Sequence, residues 1–168
     1  SNTHFDTTRA NIEYIGAKAI DCPSQENENG ESTYPFKGDI NLEDVKEVIA
    51  EYGAENVGAI ILTVTNNSGG GQPVSMTNAK ALAALCKDHG IYMVLDSCRI
   101  AENSYFIKHK EKGYENHTYK QIAKEMYRLA DAAVMSAKKD ALVNMGGFLA
   151  VRSEERRVGK GWRWRGGR

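Results

Sequence analysis

Two adjacent lysines follow a short apolar run in "VMSAKKDALVNMGG", residues 134–147. A lysine amine can attack a carbonyl group to form a covalent link, and the free amine can accept a proton. Lys138 and Lys139 can equally be solvated charges at the end of a strand. Because neighbouring side chains on an extended chain point to opposite sides, we expect only one of the two to face a site.

Polar side chains also follow two other apolar runs. The segment "TNNSGGGQPVS" (65–75) offers amides and three glycines, and "DSCRIAEN" (96–103) offers a carboxylate and an arginine. Each has a plain explanation when taken alone, since the glycines can form a flexible turn and Asp96 can be a helix N-cap. Neither GxGxxG nor GxxxxGK[ST] is present, so the glycines predict neither a dinucleotide site nor a P-loop.

The elements that must position these groups are predicted from apolar periodicity. Three runs are apolar nearly throughout, which is typical of strands buried on both faces of a parallel sheet. The predicted strands, with a fourth near the end, are 57–65, 91–97, 132–138 and 146–152. Helical periodicity covers 41–53, 75–90 and 118–131, with Gly53 and Gly90 as C-caps. This alternation of strands and helices predicts an α/β fold. Residues 21–39 are polar and contain two prolines, which predicts a surface loop.

The three polar segments are therefore expected to meet at one edge of the sheet, because ligands of open α/β sheets bind beyond the carboxyl ends of the strands. Lysine, aspartate, arginine, asparagine and serine at adjacent strand ends are the groups that a pyridoxal phosphate site requires. The lysine bonds to the cofactor aldehyde, and an aspartate keeps the pyridine nitrogen protonated. Arginine and asparagine can hold the ring oxygen, and serine the phosphate. An α/β domain without such a site is the alternative.

The totals describe an ordinary domain of 168 residues with 41% hydrophobic and 26% charged residues. No apolar run is long enough for a membrane helix, so a cytoplasmic protein is expected. Three cysteines without CxxC spacing predict neither a disulfide framework nor a zinc site.

The end of the chain differs in character from the rest. The segment "SEERRVGKGWRWRGGR" (153–168) is similar to translated sequencing adapter and is expected to be non-native; the alternative is a basic tail that binds nucleic acid. Without its six basic and two acidic groups, residues 1–152 hold 16 basic and 20 acidic groups, a net charge of −4. Such a surface gives no reason to expect a nucleic-acid partner.

Five segments in order resemble the tryptophanase and tyrosine phenol-lyase family of pyridoxal phosphate β-eliminating lyases. They are "HFDTTR", "FKGDINLE", "TVTNNSGGGQPVSM", "DSCRIAENSYFIK" and "MSAKKDALVNMGGFL". The resemblance covers residues 2–152 and implies part of the large domain of a fold-type I enzyme, with a mostly parallel sheet flanked by helices. Threonine aldolases or cysteine-processing lyases would share Lys139 and Asp96, but they give no reason for "FDTTR" or "GGQPVSM".

The resemblance assigns roles to individual residues. It implies that Lys139 bonds to the cofactor, that Asp96 contacts the pyridine nitrogen, and that Phe5 stacks on the ring. Further assignments are Arg99 and Asn67 to the ring oxygen, Ser136 to the phosphate, Lys138 to the rim of the site, and the backbone near Asn144 to a monovalent cation, usually potassium.

Asp6 bears on which amino acid is cleaved. In this family the residue after the stacking phenylalanine is aspartate in the tryptophan-cleaving enzymes and threonine in the tyrosine-cleaving ones. "FDTT" therefore favours cleavage of L-tryptophan to indole, pyruvate and ammonium, whereas "ALVN" (141–144) favours the tyrosine branch. The resemblance also implies a homotetramer. It further implies that a glycine-rich phosphate segment, a carboxylate-binding arginine and a small domain lie outside this chain, so we expect an inactive fragment.

Overall fold

The computed structural model of this protein contains a four-stranded sheet with helices packed against it. The structure describes residues 1–152, apart from the side chain of Glu28. The strands are β1 (Ile60–Thr63), β2 (Met93–Asp96), β3 (Ala132–Ser136) and β4 (Gly147–Val151). The helices are α1 (Asp6–Tyr14), α2 (Gln25–Glu28), α3 (Leu42–Tyr52), α4 (Met76–His89), α5 (Ile100–Lys110) and α6 (Tyr119–Leu129). This confirms the predicted α/β class; the predicted tail, residues 153–168, lies outside the described residues.

The strands lie in the order β1-β2-β3-β4, and the first three are parallel. Asp96 is in register with Thr63 on one side and Val134 on the other, so the carboxyl ends of β1, β2 and β3 meet at one edge. β4 runs antiparallel to β3. All four strands lie inside the predicted runs but are shorter.

The predicted helices are confirmed as α3, α4 and α6, and their ends carry the expected caps. Ser75 accepts a hydrogen bond from the amide of Asn78, and Thr118 forms a reciprocal capping box with Gln121. Gly90 ends α4 in the left-handed conformation, which glycine adopts without steric cost. α1, α2 and α5 were not predicted as helices.

The core is apolar and lies between the sheet and helices α3 to α6. Its most buried large side chains are Ile40, Leu62, Met76, Leu82, Met93, Leu95, Ile107, Ile122 and Met126. The surface-loop prediction for residues 21–39 is wrong at both ends of the segment, where Cys22, Phe36 and Asp39 are buried. They are buried because Pro23 pairs with Ile40 in a β-bridge that brings the segment onto the core.

Asp39 is a buried carboxylate beside the start of α4. It accepts hydrogen bonds from the amide and hydroxyl of Ser75, at 2.7 and 3.0 Å, and from the hydroxyl of Tyr34 at 2.8 Å. Burial raises the pKa of Asp39 to about 6, although these three donors favour the ionised form and limit the rise. The group is therefore expected to titrate near neutral pH.

A cavity of 420 Å³ lies between α1, α3 and the outer edge of β1. Its lining is largely apolar and, within the part of the chain that the structure describes, includes none of the predicted site residues. Among residues 1–152, no helix has the length and apolar character needed to cross a membrane.

Candidate active site

Arg99 and Asn67 lie in contact beyond the ends of β1 and β2. The Nη1 atom of Arg99 donates to Oδ1 of Asn67 at 3.4 Å and to the carbonyl of Thr65 at 3.5 Å. A weaker ion pair places its Nε 3.7 Å from Glu102. Asn67 is exposed, so its amide and the guanidinium form one polar group that faces solvent.

The backbone of Thr65 turns sharply to place Asn67 at this point. Thr65 has a φ of +48°, a left-handed conformation that costs a β-branched residue on the order of 1–3 kcal/mol. Gly70 and Gly71 also have positive φ. The three glycines therefore form a turn, which was the simpler explanation offered by the sequence. Backbone strain of this kind is common where a loop serves a binding site.

Asn103 holds this turn in place, and its role was not predicted from the sequence. Its fully buried side chain bonds the amide of Val74 at 2.8 Å, the carbonyl of Val74 at 2.9 Å and the hydroxyl of Thr65 at 3.2 Å. No sequence signal pointed to Asn103, because α5 was not predicted as a helix and only the folded chain shows that this side chain is buried.

Lys139 lies over the ring of Phe5, with Nζ 5.3 Å from the ring centroid. It is half-buried, whereas Lys138 is exposed. The two lysines therefore differ in environment as expected, but the reasoning from strand alternation was wrong. β3 ends at Ser136 and residues 137–140 form turns, so the turn sets the two side chains apart.

The segment before Phe5 is fixed to the end of β1 by side-chain amides. The amide of Asn2 donates to the carbonyl of Thr63 at 2.8 Å and accepts from its N–H at 3.0 Å, as a neighbouring strand would. Asn66 donates to the carbonyl of Thr3 at 2.7 Å. These bonds join residues that are about sixty positions apart, and they place the ring of Phe5 at the same edge as Lys139.

Asp96 and Ser136 lie on either side of Cys98. Asp96 accepts a hydrogen bond from the amide of Cys98 at 3.2 Å, and the amide of Ser136 contacts the sulfur of Cys98 at 3.1 Å. Burial raises the pKa of the Cys98 thiol and a hydrogen bond with Asp96 raises it further, while the charge of Lys139 acts in the opposite direction. Asp96 is not the N-cap of α5, a position that Arg99 occupies.

Two further predicted residues lie in exposed positions. Asp6 is in the first turn of α1 and Asn144 is in the exposed segment between Ala141 and Gly146. No group of three or more metal-binding side chains occurs among residues 1–152. A cation site near Asn144 would use backbone oxygens rather than such side chains.

The side chains at this edge fit pyridoxal phosphate in their chemistry. A lysine amine lies over an aromatic face, a carboxylate ends the central strand, and a guanidinium is paired with an amide on the next loop. These are the groups needed for the aldehyde, the ring face, the pyridine nitrogen and the ring oxygen. The fit is less complete for the phosphate, for which the predicted donors are Ser136 and Lys138.

The chain as a whole is similar in sequence to known proteins. The family model described as "Beta-eliminating lyase" matches residues 1–166. The chain is 52% identical over 151 residues to a tryptophanase of Salinibacter ruber, across 90% of this chain and 32% of that protein. It is 47% identical over 154 residues to a tryptophanase of Hyphomonas neptunium and 47% identical over 154 residues to a tyrosine phenol-lyase of Fusobacterium nucleatum, each time across 92% of this chain and 34% of the relative.

Among solved structures, one from Listeria monocytogenes EGD-E, described as an L-allo-threonine aldolase, matches with a TM-score of 0.59 at 16% identity. The match covers 90% of this chain and 34% of that one, and it supports the fold alone. The chain spans about a third of the length of the curated relatives that it matches.

Proposed function

Because the chain belongs to the beta-eliminating lyase family, we propose that residues 1–152 are part of the cofactor-binding domain of a longer pyridoxal phosphate-dependent lyase. The proposed reaction converts L-tryptophan and water to indole, pyruvate and ammonium. The observation that carries the proposal is the half-buried Lys139 amine over the ring of Phe5, at the sheet edge where Asp96 ends β2. Residues 153–168 are proposed to be a non-native tail.

Each side chain has a distinct part in the proposed mechanism. When bound, the cofactor supplies an electron-withdrawing ring that stabilises negative charge at the substrate α-carbon. Lys139 holds the cofactor aldehyde covalently, and as a free amine it accepts the proton from the α-carbon. The carboxylate of Asp96 keeps a proton on the pyridine nitrogen. Phe5 packs on the ring face and excludes water from it.

The remaining polar groups orient the cofactor. Arg99 and Asn67, already 3.4 Å apart, donate to the ring oxygen, so cofactor binding requires little rearrangement of either. Ser136 donates to the phosphate, and Lys138 adds a positive charge at the rim.

Asp6 is proposed to assist departure of the indole. Indole leaves as a neutral molecule only after its C3 atom gains a proton, and an exposed carboxyl group at the start of α1 can deliver that proton. Cleavage of L-tyrosine to phenol is the second candidate, because a tyrosine phenol-lyase matches this chain at 47% identity, as one of the tryptophanases does.

The resemblance also leads us to propose a homotetramer in the cytoplasm that uses a potassium ion held by backbone near Asn144. Residues 1–152 alone are proposed to be inactive and poorly soluble. β4 supports this, since Phe148, Leu149 and Val151 are 45%, 65% and 52% exposed. An apolar strand face of this kind favours association between chains.

The test compares products formed by the full-length protein, meaning the longer gene product that carries residues 1–152. With pyridoxal phosphate, it should release indole from L-tryptophan faster than phenol from L-tyrosine. Phenol as the main product would favour the second candidate, and release of neither would contradict both.

A variant tests the role of Asp6. Asp6→Asn should slow indole release at least ~100-fold, the usual contribution of a positioned acid. Release of chloride from β-chloroalanine should change little, because chloride leaves without a proton. The matched control is Asp88→Asn, an exposed carboxylate on α4. Equal losses with both substrates would show that Asp6 does not protonate the leaving group.

A further inference from the structure

Asp140, directly after Lys139, caps the helix that follows Asp96 and Arg99. Its Oδ2 atom accepts hydrogen bonds from the amides of Ala101 at 2.6 Å and Glu102 at 3.3 Å, in the first turn of α5. A carboxylate at this position satisfies amides that have no partner within the helix and interacts favourably with the helix dipole.

α5 has no cap of its own. Its N-cap residue, Arg99, makes no side-chain capping bond, and the Arg99 guanidinium is instead directed to Asn67. The Arg99 guanidinium has only donors and cannot accept from these amides, so the cap comes from Asp140, which lies on another loop thirty-nine positions after Ala101.

The same contact fixes the turn that carries Lys139. The amide of Asp140 donates to the carbonyl of Cys98 at 3.3 Å, and the amide of Ser136 contacts the Cys98 sulfur at 3.1 Å. The turn is thus fastened on both sides of the lysine to the loop that begins at Asp96. Before Lys139, the contact is the hydrogen bond from the Ser136 amide to the Cys98 sulfur. After Lys139, the contacts are those of Asp140, whose amide donates to Cys98 and whose carboxylate accepts from α5.

We propose that Asp140 is a positioning residue that sets the Lys139 amine relative to Asp96 and Arg99. The proposal rests on the proposed function, since it assigns Asp140 to the covalent attachment of pyridoxal phosphate. A lysine on an unfastened turn samples many positions, and only a few of them place its amine near the cofactor aldehyde. Loss of the carboxylate should therefore weaken attachment without removing any group that touches the cofactor.

The experiment uses the full-length protein and three variants. Asp140→Ala removes both bonds, and Asp140→Asn keeps an oxygen acceptor at the same reach. The matched control is Thr118→Ala, which removes the cap of α6, where Thr118 accepts from the amide of Gln121 at 3.2 Å. Loss of an N-cap lowers the equilibrium constant for forming the first turn of a helix by up to about tenfold. The two alanine variants should therefore be destabilised to a similar extent.

Two measurements follow the cofactor itself. The dissociation constant of pyridoxal phosphate is obtained from the absorbance of the bound form, and the fraction trapped on Lys139 is obtained by borohydride reduction and peptide mapping. Asp140→Ala should raise the dissociation constant about tenfold and lower the trapped fraction. Asp140→Asn should recover most of the loss, and Thr118→Ala should change the constant less than twofold.

The outcomes separate this proposal from the proposed function. If Asp140→Ala binds and traps the cofactor as Thr118→Ala does, the positioning role is wrong, even though wild-type labelling at Lys139 would leave the function intact. If the wild-type protein is not labelled at Lys139, the proposed function fails and takes this proposal with it. If Asp140→Ala does not fold, Asp140→Glu replaces it, because this variant keeps the charge but lengthens the side chain by one methylene group and so displaces the turn. A dissociation constant and a trapped fraction equal to those of the wild type would overturn the positioning role.

Discussion

The buried amide of Asn103 offers a quantitative test of how the loop after β1 is held. In Asn103→Ala the amide and carbonyl of Val74 lose partners at 2.8 and 2.9 Å inside a fully buried region. A buried polar group left without a partner costs about 1–3 kcal/mol, so two such groups cost about 2–6 kcal/mol. The Thr65 hydroxyl also loses its partner at 3.2 Å, which removes a restraint on the left-handed turn.

The effect is best measured locally in the full-length protein by hydrogen exchange of peptides that cover residues 60–76. A loss of at least about 2 kcal/mol corresponds to exchange that is ~30-fold faster or more. Binding of pyridoxal phosphate should weaken as well, because Asn67 and Arg99 lie at the end of the loosened turn.

The matched control for this experiment is Asn56→Ala, which removes one exposed bond to the carbonyl of Tyr52. Such surface substitutions change the free energy of unfolding by about 0.5 kcal/mol or less. Hydrogen exchange in Asn103→Ala that is no faster than in Asn56→Ala would refute this prediction. The amide and carbonyl of Val74 would then have found other hydrogen-bond partners at little cost in free energy.

Two further predictions concern stability. Because burial raises the pKa of Asp39 to about 6, above its value in the unfolded chain, its contribution to stability is present at low pH and is lost as pH rises through 6. The stability of the wild type relative to Asp39→Asn, followed by the melting temperatures of both proteins, should therefore be about 1 kcal/mol greater at pH 5 than at pH 7. The same difference between the two proteins at both pH values would contradict the raised pKa. Gly38→Ala should destabilise by about 1–3 kcal/mol in denaturant unfolding, because the new Cβ would clash with the backbone carbonyl oxygen of Gln72. Gly58→Ala, where nothing lies within 4 Å, is the control, and equal effects would show that the loop yields freely.

The sheet was predictable because its three parallel strands are nearly continuous in apolar residues, although in β3 only Ala133 is buried and the other residues are half-buried. The run at residues 91–97 contains β2, and Asp96 ends the strand as expected. The convergence of the three polar segments then followed from the rule that ligand sites form beyond the carboxyl ends of such strands.

Three helices could not be predicted from periodicity. α2 has only four residues and lies in the segment that was predicted as a surface loop. The buried face of α5 combines Asn103 and Ser104 with Ile100 and Ile107, so an apolar stripe is interrupted by polar residues that find partners only in the folded chain. None of the nine residues of α1 is buried, so α1 has no core-facing stripe to detect.

The contacts that hold the site were also beyond sequence reasoning. Asp140 caps α5 across thirty-nine residues, and Asn2 bonds Thr63 across sixty-one. Neither has a local spacing signature, since each pairing is set by the fold. The lysine pair shows a similar limit of prediction. One lysine was expected to face the site, but the two side chains differ in exposure because of the turn after β3 and not because of strand alternation.

The most direct test of the proposed function is to reduce the full-length protein with borohydride in the presence of pyridoxal phosphate and map the labelled peptide. The mechanism predicts one label per chain, on Lys139, and none in Lys139→Arg, while Lys138→Arg should still be labelled. Label on Lys138, or no label at either lysine, would contradict the central claim.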